Sequence, residues 1–169
     1  MGELASGKGV AVVCEDGSIG LNAALSLGAT EALRQGAARV LFIPADLPLA
    51  RAEEIGEILS ASSRSDCRGP IIVPARDGDG TNALLLCPPD ALEPSFGQGS
   101  FARHCTQARA RGLTPLLLRL EGLALDIDGP GDLGLLIERI RGRPRYAFLG
   151  EARRAQEAAA GQSMGATEP

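Results

Sequence analysis

An α/β layered domain with a mainly parallel sheet is what the sequence predicts, on three observations. Short apolar runs of strand length alternate along the chain with segments whose apolar residues recur every three or four positions. The runs lead into loops containing Gly, Pro and Asp, which cannot continue a sheet. The chain has 169 residues, 44% of them hydrophobic, enough for one ordinary domain with a core.

Val10-Ala11-Val12-Val13 lies between Gly9 and the polar turn Glu15-Asp16-Gly17-Ser18, the profile of a buried parallel strand. Leu21, Ala24, Leu25, Ala29, Ala32 and Leu33 then recur at helical spacing, and Gly36 ends the pattern as a C-terminal cap would. Val40-Leu41-Phe42-Ile43 carries the strongest strand signal. It runs into Pro44-Ala45-Asp46-Leu47-Pro48, whose prolines remove sheet donors and leave Asp46 at a strand's carboxyl end. A helix over 51–62 would place Ile55, Ile58 and Leu59 on one face, and Ile71-Ile72-Val73 reads as the next strand. A strand at 82–86, a helix at 100–111, a strand at 116–120 and a helix at 131–141 complete the alternation. The domain is expected to occupy residues 9–141 after a lead of 1–8. Residues 142–169, rich in Arg, Ala and Gly, read as a tail, partly helical near 150–160 and partly disordered.

Seventeen basic residues against 21 acidic ones give a net charge of −4 and no dense basic stripe, which argues against a nucleic-acid partner. Cysteines at 14, 67, 87 and 105 form no CxxC pair and have one histidine to help them, so zinc is not expected and the thiols read as buried packing. No signal peptide opens the sequence and no apolar run reaches the roughly 18 residues of a membrane span. A cytoplasmic protein without membrane partners is the expectation.

Two acidic clusters, Asp46 and Asp126-Ile127-Asp128, each follow an apolar run where a strand gives way to a loop. Carboxylates so placed hold hard cations, and magnesium takes one or two of them together with substrate phosphates. Asp128 has a second reading as the cap of the helix near Pro130. Of Asp126 and Asp128, at most one is expected to face the metal directly.

The loop from Arg76 to Ala83 combines small residues with a hydroxyl and an amide, suited to close approach of an anion, with a plain turn as the alternative. Its glycines precede a strand at 82–86 rather than a helix, against a dinucleotide fingerprint. In Phe96-Gly97-Gln98-Gly99-Ser100-Phe101, Ser100 reads as an N-cap and the free N–H groups behind it as anion donors; a capped helix with nothing bound is the alternative. His104, the lone histidine, reads as structural or as a base. Cys105 has no activating partner and no Ser/His/Asp order is present, so covalent catalysis is not expected.

Taken together, Gly20-Leu21-Asn22-Ala23-Ala24-Leu25, Pro44-Ala45-Asp46-Leu47-Pro48, Gly80-Thr81-Asn82-Ala83-Leu84-Leu85, Phe96-Gly97-Gln98-Gly99-Ser100-Phe101 with His104, and Leu125-Asp126-Ile127-Asp128-Gly129-Pro130-Gly131-Asp132-Leu133 resemble one family in order and spacing. That family is the 2-phospho-L-lactate guanylyltransferases of coenzyme F-420 biosynthesis, with relatives that use phosphoenolpyruvate or 3-phosphoglycerate. The resemblance covers roughly residues 9–141.

It implies a Rossmann-like nucleotidyltransferase fold, three-layer α/β/α, in which Mg2+ bridges GTP and the phosphorylated acid. Asp46 and Asp126 match catalytic carboxylates, and Asp46, Asp126 and Asp128 the metal ligands. Thr81, Gly97 and Ser100 match positions that hold the acceptor's carboxylate or phosphate end, and Asn22 matches the nucleotide side. The implied chemistry is attack by the acceptor's phosphate oxygen on the α-phosphorus of GTP with release of pyrophosphate, which needs positioning and charge neutralisation more than a base. The implied partners are GTP and a phosphorylated three-carbon acid, with a homodimer left open. Family members normally carry a strand, a basic loop, and a further helix and strand before the segment matching Val10. The fold is therefore expected to be N-terminally truncated, with sheet edges and an apolar face uncovered. Position 129 holds Gly where the family commonly has Thr. A non-catalytic acceptor-binding or regulatory remnant of the same family is the alternative expectation.

Overall fold

The computed structural model describes residues 12–14, 17, 20–64 and 69–146. They belong to two units, one ending at Asp126 and the other beginning at Ile127. In the first unit the elements are α1 (Leu21–Arg34), β1 (Val40–Phe42), α2 (Ala52–Ser62), β2 (Ile71–Pro74), β3 (Thr81–Leu86), α3 (Ser100–Ala110) and β4 (Leu116–Leu117). The second unit holds α4 (Pro130–Arg139) and a 3₁₀ turn at Pro144–Tyr146. Residues 147–169, and with them the expected tail helix, lie outside the described residues.

The strands form one sheet in the order β1-β3-β2-β4. The expected α/β class holds, but the sheet is mixed: β3 runs antiparallel to both β1 and β2, while β2 and β4 are parallel. The cause is the loop 75–80, which is too short for the crossover of a dozen or more residues that a parallel pair requires. It closes instead as a hairpin, with the Ala75 N–H donating to the Gly80 carbonyl at 2.9 Å. Because β3 alone is reversed, β1, β2 and β4 all run the same way. Their carboxyl ends share one end of the sheet with the amino end of β3.

Apolar side chains from both sheet faces are buried. On one side Phe42, Ile72, Leu84 and Leu86 pack with Ala29 of α1, Cys105 and Ala108 of α3, and Phe96. On the other, Ile71, Val73, Ala83 and Leu85 pack with Ile58 of α2 and with Leu47, Leu120 and Leu123. Each fully buried aliphatic side chain contributes roughly 1.5–3 kcal/mol.

Three expected elements differ. Val12 and Val13 are in no strand and are 47% and 45% exposed, because the outer edge of β1 pairs with no strand among the described residues; Val10 and Ala11 lie outside them. Leu21, Leu27 and Leu33 of α1 are likewise exposed. The strand expected over 116–120 is confined to Leu116–Leu117, and the apolar run before Asp126 is irregular. Its backbone groups are satisfied from outside a ladder: Glu54 Oε1 accepts the Gly122 N–H at 2.7 Å, Asn82 Nδ2 donates to the Leu123 carbonyl at 2.9 Å, and the Arg76 N–H donates to the Ala124 carbonyl at 2.9 Å. Cysteine burial is also corrected. Cys105 is buried, but Cys14 and Cys87 are exposed, both standing outside the strands and helices that build the core; Cys67 lies outside the described residues.

In the second unit α4 starts with Pro130 at its first turn. The capping position is Gly129, and Asp132 Oδ2 accepts the N–H groups of Gly129 at 3.1 Å and Asp128 at 3.3 Å. Asp128 is therefore not the cap. No helix among the described residues is long and apolar enough to cross a membrane.

Gly122 sits where a Cβ would collide with the Leu49 carbonyl and the Glu54 carboxylate. Gly122→Ala should cost about 2–3 kcal/mol in urea unfolding, since backbone cannot move aside as a flexible side chain can. Gly28, inside α1 with nothing within 4 Å of its Cβ position, supplies the opposite sign. Gly28→Ala should stabilise by about 0.5–1 kcal/mol.

Candidate functional site

The shared end of the sheet collects the sequence-predicted residues of the first unit. β1 leads out through Pro44 to Asp46, which is exposed, while the next residue, Leu47, is buried and anchors the loop. β2 leads into the hairpin 75–80, after which Thr81 opens β3. β4 leads to the irregular run ending at Asp126, which is half-buried behind the fully buried Leu125. Gly122 packs between the Leu49 carbonyl and Glu54, so the loops bearing Asp46 and Asp126 are tied to one another. Glu54 is itself buried, and its carboxylate also accepts the Arg51 N–H at 3.1 Å.

Among the described residues no three His, Cys, Asp or Glu side chains converge. Asp46 and Asp126, the carboxylates of the sequence reading, stand on the two loops tied through Gly122 and Glu54. Asp128 is exposed and belongs to the second unit.

A bulge aims the polar residues of β3. Val73 is opposite Ala83 and Pro74 opposite Thr81, which leaves Asn82 as the extra residue. Under strict alternation Thr81 would share a face with Ala83 and Leu85, and Asn82 with Leu84. Instead Asn82 bonds Leu123, on the side of Ala83 and Leu85, and Thr81 meets α3, on the side of Leu84. Both residues are buried.

Thr81 Oγ1 lies 3.0 Å from Nδ1 of His104. The other ring nitrogen, Nε2, accepts the Ser95 N–H at 3.0 Å, and the ring stands edge-on to Phe96 with centroids 5.2 Å apart. Burial pushes the imidazole pKa down from 6.5 to about 4, helped by the neighbouring Arg103 charge. His104 is therefore neutral and internally satisfied, the structural alternative of the sequence reading.

Ser100 is not the N-cap that its position suggested. Gly99 caps α3 in the left-handed conformation at φ 69°, and Ser100 is the first helical residue. Asp79 of the hairpin does the capping work from across the loop: its Oδ2 accepts the Gly99 N–H at 2.7 Å and its carbonyl accepts the Phe101 N–H at 3.0 Å. The Ser100 hydroxyl is left buried with no hydrogen-bond partner among the described residues. The N–H groups that the sequence reading offered to an anion are thus partly taken by a carboxylate of the chain itself.

The loop between Ser95 and Gly99 is braced from three directions. Asn22 of α1 clasps Phe96 at both ends, accepting its N–H at 2.7 Å and donating to its carbonyl at 3.2 Å. Arg103 donates to the carbonyls of Ser95, Phe96 and Gln98, and His104 holds the Ser95 N–H. Gly97 is exposed at the tip with φ 104°, a conformation open to glycine. Arg103, Asp79 and Glu54 had no signal in the sequence beyond being charged; Asp79 and Glu54 meet Gly99 and Gly122, 20 and 68 positions away, and Arg103 meets carbonyls of the loop just before its own helix.

The family model described as Guanylyl transferase CofC like matches residues 3–162. A phosphoenolpyruvate guanylyltransferase of Sphaerobacter thermophilus is 50% identical over 131 residues, 78% of this chain and 61% of the relative. A 3-phospho-D-glycerate guanylyltransferase of Phenylobacterium zucineum is 38% identical over 76% of this chain and 58% of the relative. A 2-phospho-L-lactate guanylyltransferase of Methanothermobacter thermautotrophicus is 34% identical over 89% and 65% respectively. The chain spans about three fifths of the length of these relatives.

The buried imidazole makes stability depend on pH. An unfolded histidine titrates near 6.5 and this folded one near 4, so between those values the unfolded state binds the extra proton. The contribution is fully present above pH 6.5 and is lost as pH falls towards 4, about 3 kcal/mol in all. Urea unfolding at pH 5.0 should therefore give about 2 kcal/mol less stability than at pH 7.5, an interval above the titration of most carboxylates. His104→Gln should flatten that difference.

Proposed function

Because the chain belongs to the CofC-like guanylyltransferase family, we propose that it transfers GMP from GTP to a small phosphorylated acid with release of pyrophosphate. The acceptor class is a three-carbon phosphorylated acid: 2-phospho-L-lactate, phosphoenolpyruvate or 3-phosphoglycerate, the three named by its relatives. The reaction would serve coenzyme F-420 biosynthesis. The observation that carries this reading is the gathering, at one end of the sheet, of the tethered Asp46 and Asp126 loops with the buried hydroxyl-bearing residues Thr81 and Ser100.

Each residue then has a task. Asp46 and Asp126 would hold Mg2+, which offsets the negative charge of the triphosphate when bound. Thr81 and Ser100 would donate to the acceptor, and Gly97, lacking a side chain, would let it approach the loop backbone. Asn22 would meet the nucleotide side through the amide hydrogen that its clasp on Phe96 leaves over. The acceptor's phosphate oxygen is already anionic, so attack on the α-phosphorus requires orientation and neutralisation rather than a general base. The neutral, fully engaged His104 suits that chemistry, since it has no proton-accepting site to offer.

Pyrophosphate release from GTP, magnesium and each of the three acids in turn is the test. Release is expected with at least one acid, and Asp46→Asn and Asp126→Asn should each lower it about 100-fold or more. If all three acids bind in calorimetry but none yields pyrophosphate, transfer is wrong and a binding module remains.

A further inference from the structure

The sheet extends one strand beyond the part that α3 covers. β4 is its edge, and Leu117, paired with Ile72, shares the face on which Ile72 packs with Cys105 and Ala108 of α3. The helix leaves Leu117 46% exposed. A groove of about 480 Å3 lies there, walled by Phe101 and Cys105 of α3 and by Leu113, Pro115 and Leu117 of the stretch leading through β4. Phe101, Cys105 and Arg109 recur every fourth residue and form one row along the helix, so Arg109 also borders the groove. It stands in the last turn of α3, roughly 13 Å along the axis from Ser100 at about 1.5 Å per residue.

The Arg109 guanidinium differs from its neighbours. Arg103 and Arg111 are spent on loop carbonyls, whereas the Arg109 side chain makes no ion pair or hydrogen bond among the described residues. Its charge is felt inside the groove: burial pushes the pKa of the Cys105 thiol up, and Arg109 pulls against that. Apolar walls beside an unpaired cation suit an apolar body that ends in an anion. A guanidinium matches a planar carboxylate through two parallel N–H donors, while one alone does not balance a phosphate dianion. An added peptide strand is disfavoured, since β4 has two residues and follows Pro115, which has no N–H. The volume lies within the roughly 300–1,000 Å3 of small-molecule sites. We propose that this groove is a binding site, distinct from the one at Thr81 and Ser100, for a small carboxylic acid with an apolar body, the carboxylate paired with Arg109 and the body seated against Phe101 and Leu117.

Calorimetry with 1-naphthoate tests this. Binding at a single site is expected, with 1-naphthamide, which keeps the rings and lacks the charge, held about tenfold more weakly or worse. Arg109→Gln should weaken naphthoate by a similar factor, and Leu117→Asp, which sets a carboxylate on the apolar floor, should abolish binding. An excess of phosphoenolpyruvate should leave naphthoate binding unchanged, which separates the groove from the acceptor site. Absence of naphthoate binding at millimolar concentration overturns the proposal. So does equal binding of the amide, an Arg109→Gln or Leu117→Asp variant that binds like the parent, or displacement by phosphoenolpyruvate. None of these readouts depends on guanylyl transfer, so failure of one reading leaves the other standing.

Discussion

β3 carries one residue more than β2 opposite it, at Asn82, and the two sides of the sheet depend on that surplus for their division of labour. Without it, Thr81 would turn towards the packing of Ile58, Leu120 and Leu123, and Asn82 towards α3. With it, Asn82 reaches down to hold the Leu123 carbonyl, and Thr81 reaches up to the imidazole of His104. A bulge disrupts local pairing and bends the strand, so it is retained where re-aiming a side chain is worth more than a regular ladder. Here it re-aims two neighbours at once. One steadies the run leading to Asp126, and the other becomes a hydroxyl at the amino end of α3.

The buried polar residues point the same way. Glu54, Thr81, Asn82, Ser100 and His104 are the buried polar or charged residues among those described. Four of them are satisfied by contacts that join separate segments: Glu54 to Gly122, Asn82 to Leu123, and Thr81 and Ser95 to His104. Apolar residues of similar volume would serve packing as well or better, since each buried polar group needs a partner merely to break even. Concentrating them around the loops of one sheet end is what holding reactive groups in place demands, where small displacements are costly.

Much of this was legible in the sequence, for identifiable reasons. Helical spacing located α1 and α2, and β-branched or leucine runs located β1, β2 and β3, because burial on one face or on both writes a period into the chain. Strand direction is not written that way, since Ile71-Ile72-Val73 looks the same in a parallel or an antiparallel pair. The brevity of loop 75–80 was the available clue. Val12 and Val13 show the converse, an apolar run that is a strand only if a partner pairs with it. Of the candidate site, the sequence singles out Asp46 by its place after β1, and Thr81, Gly97 and Ser100 by family resemblance. The clasp of Asn22 on Phe96 spans 74 positions, and that of Glu54 on Gly122 spans 68. No local pattern encodes such pairs; they follow from topology.

The start of α3 shows why sequence position alone misleads about anion binding. A serine before an amphipathic helix suggests a cap and a positive helix end free to attract negative charge. Asp79 already meets that end, so the helix dipole is answered by a carboxylate of the chain, and a second anion arriving there would also face repulsion. What remains near that end is neutral: the Thr81 hydroxyl beside a buried imidazole, and the Ser100 hydroxyl with no partner among the described residues. Asp79 thereby leaves that helix end answered from within the chain rather than open to an external anion.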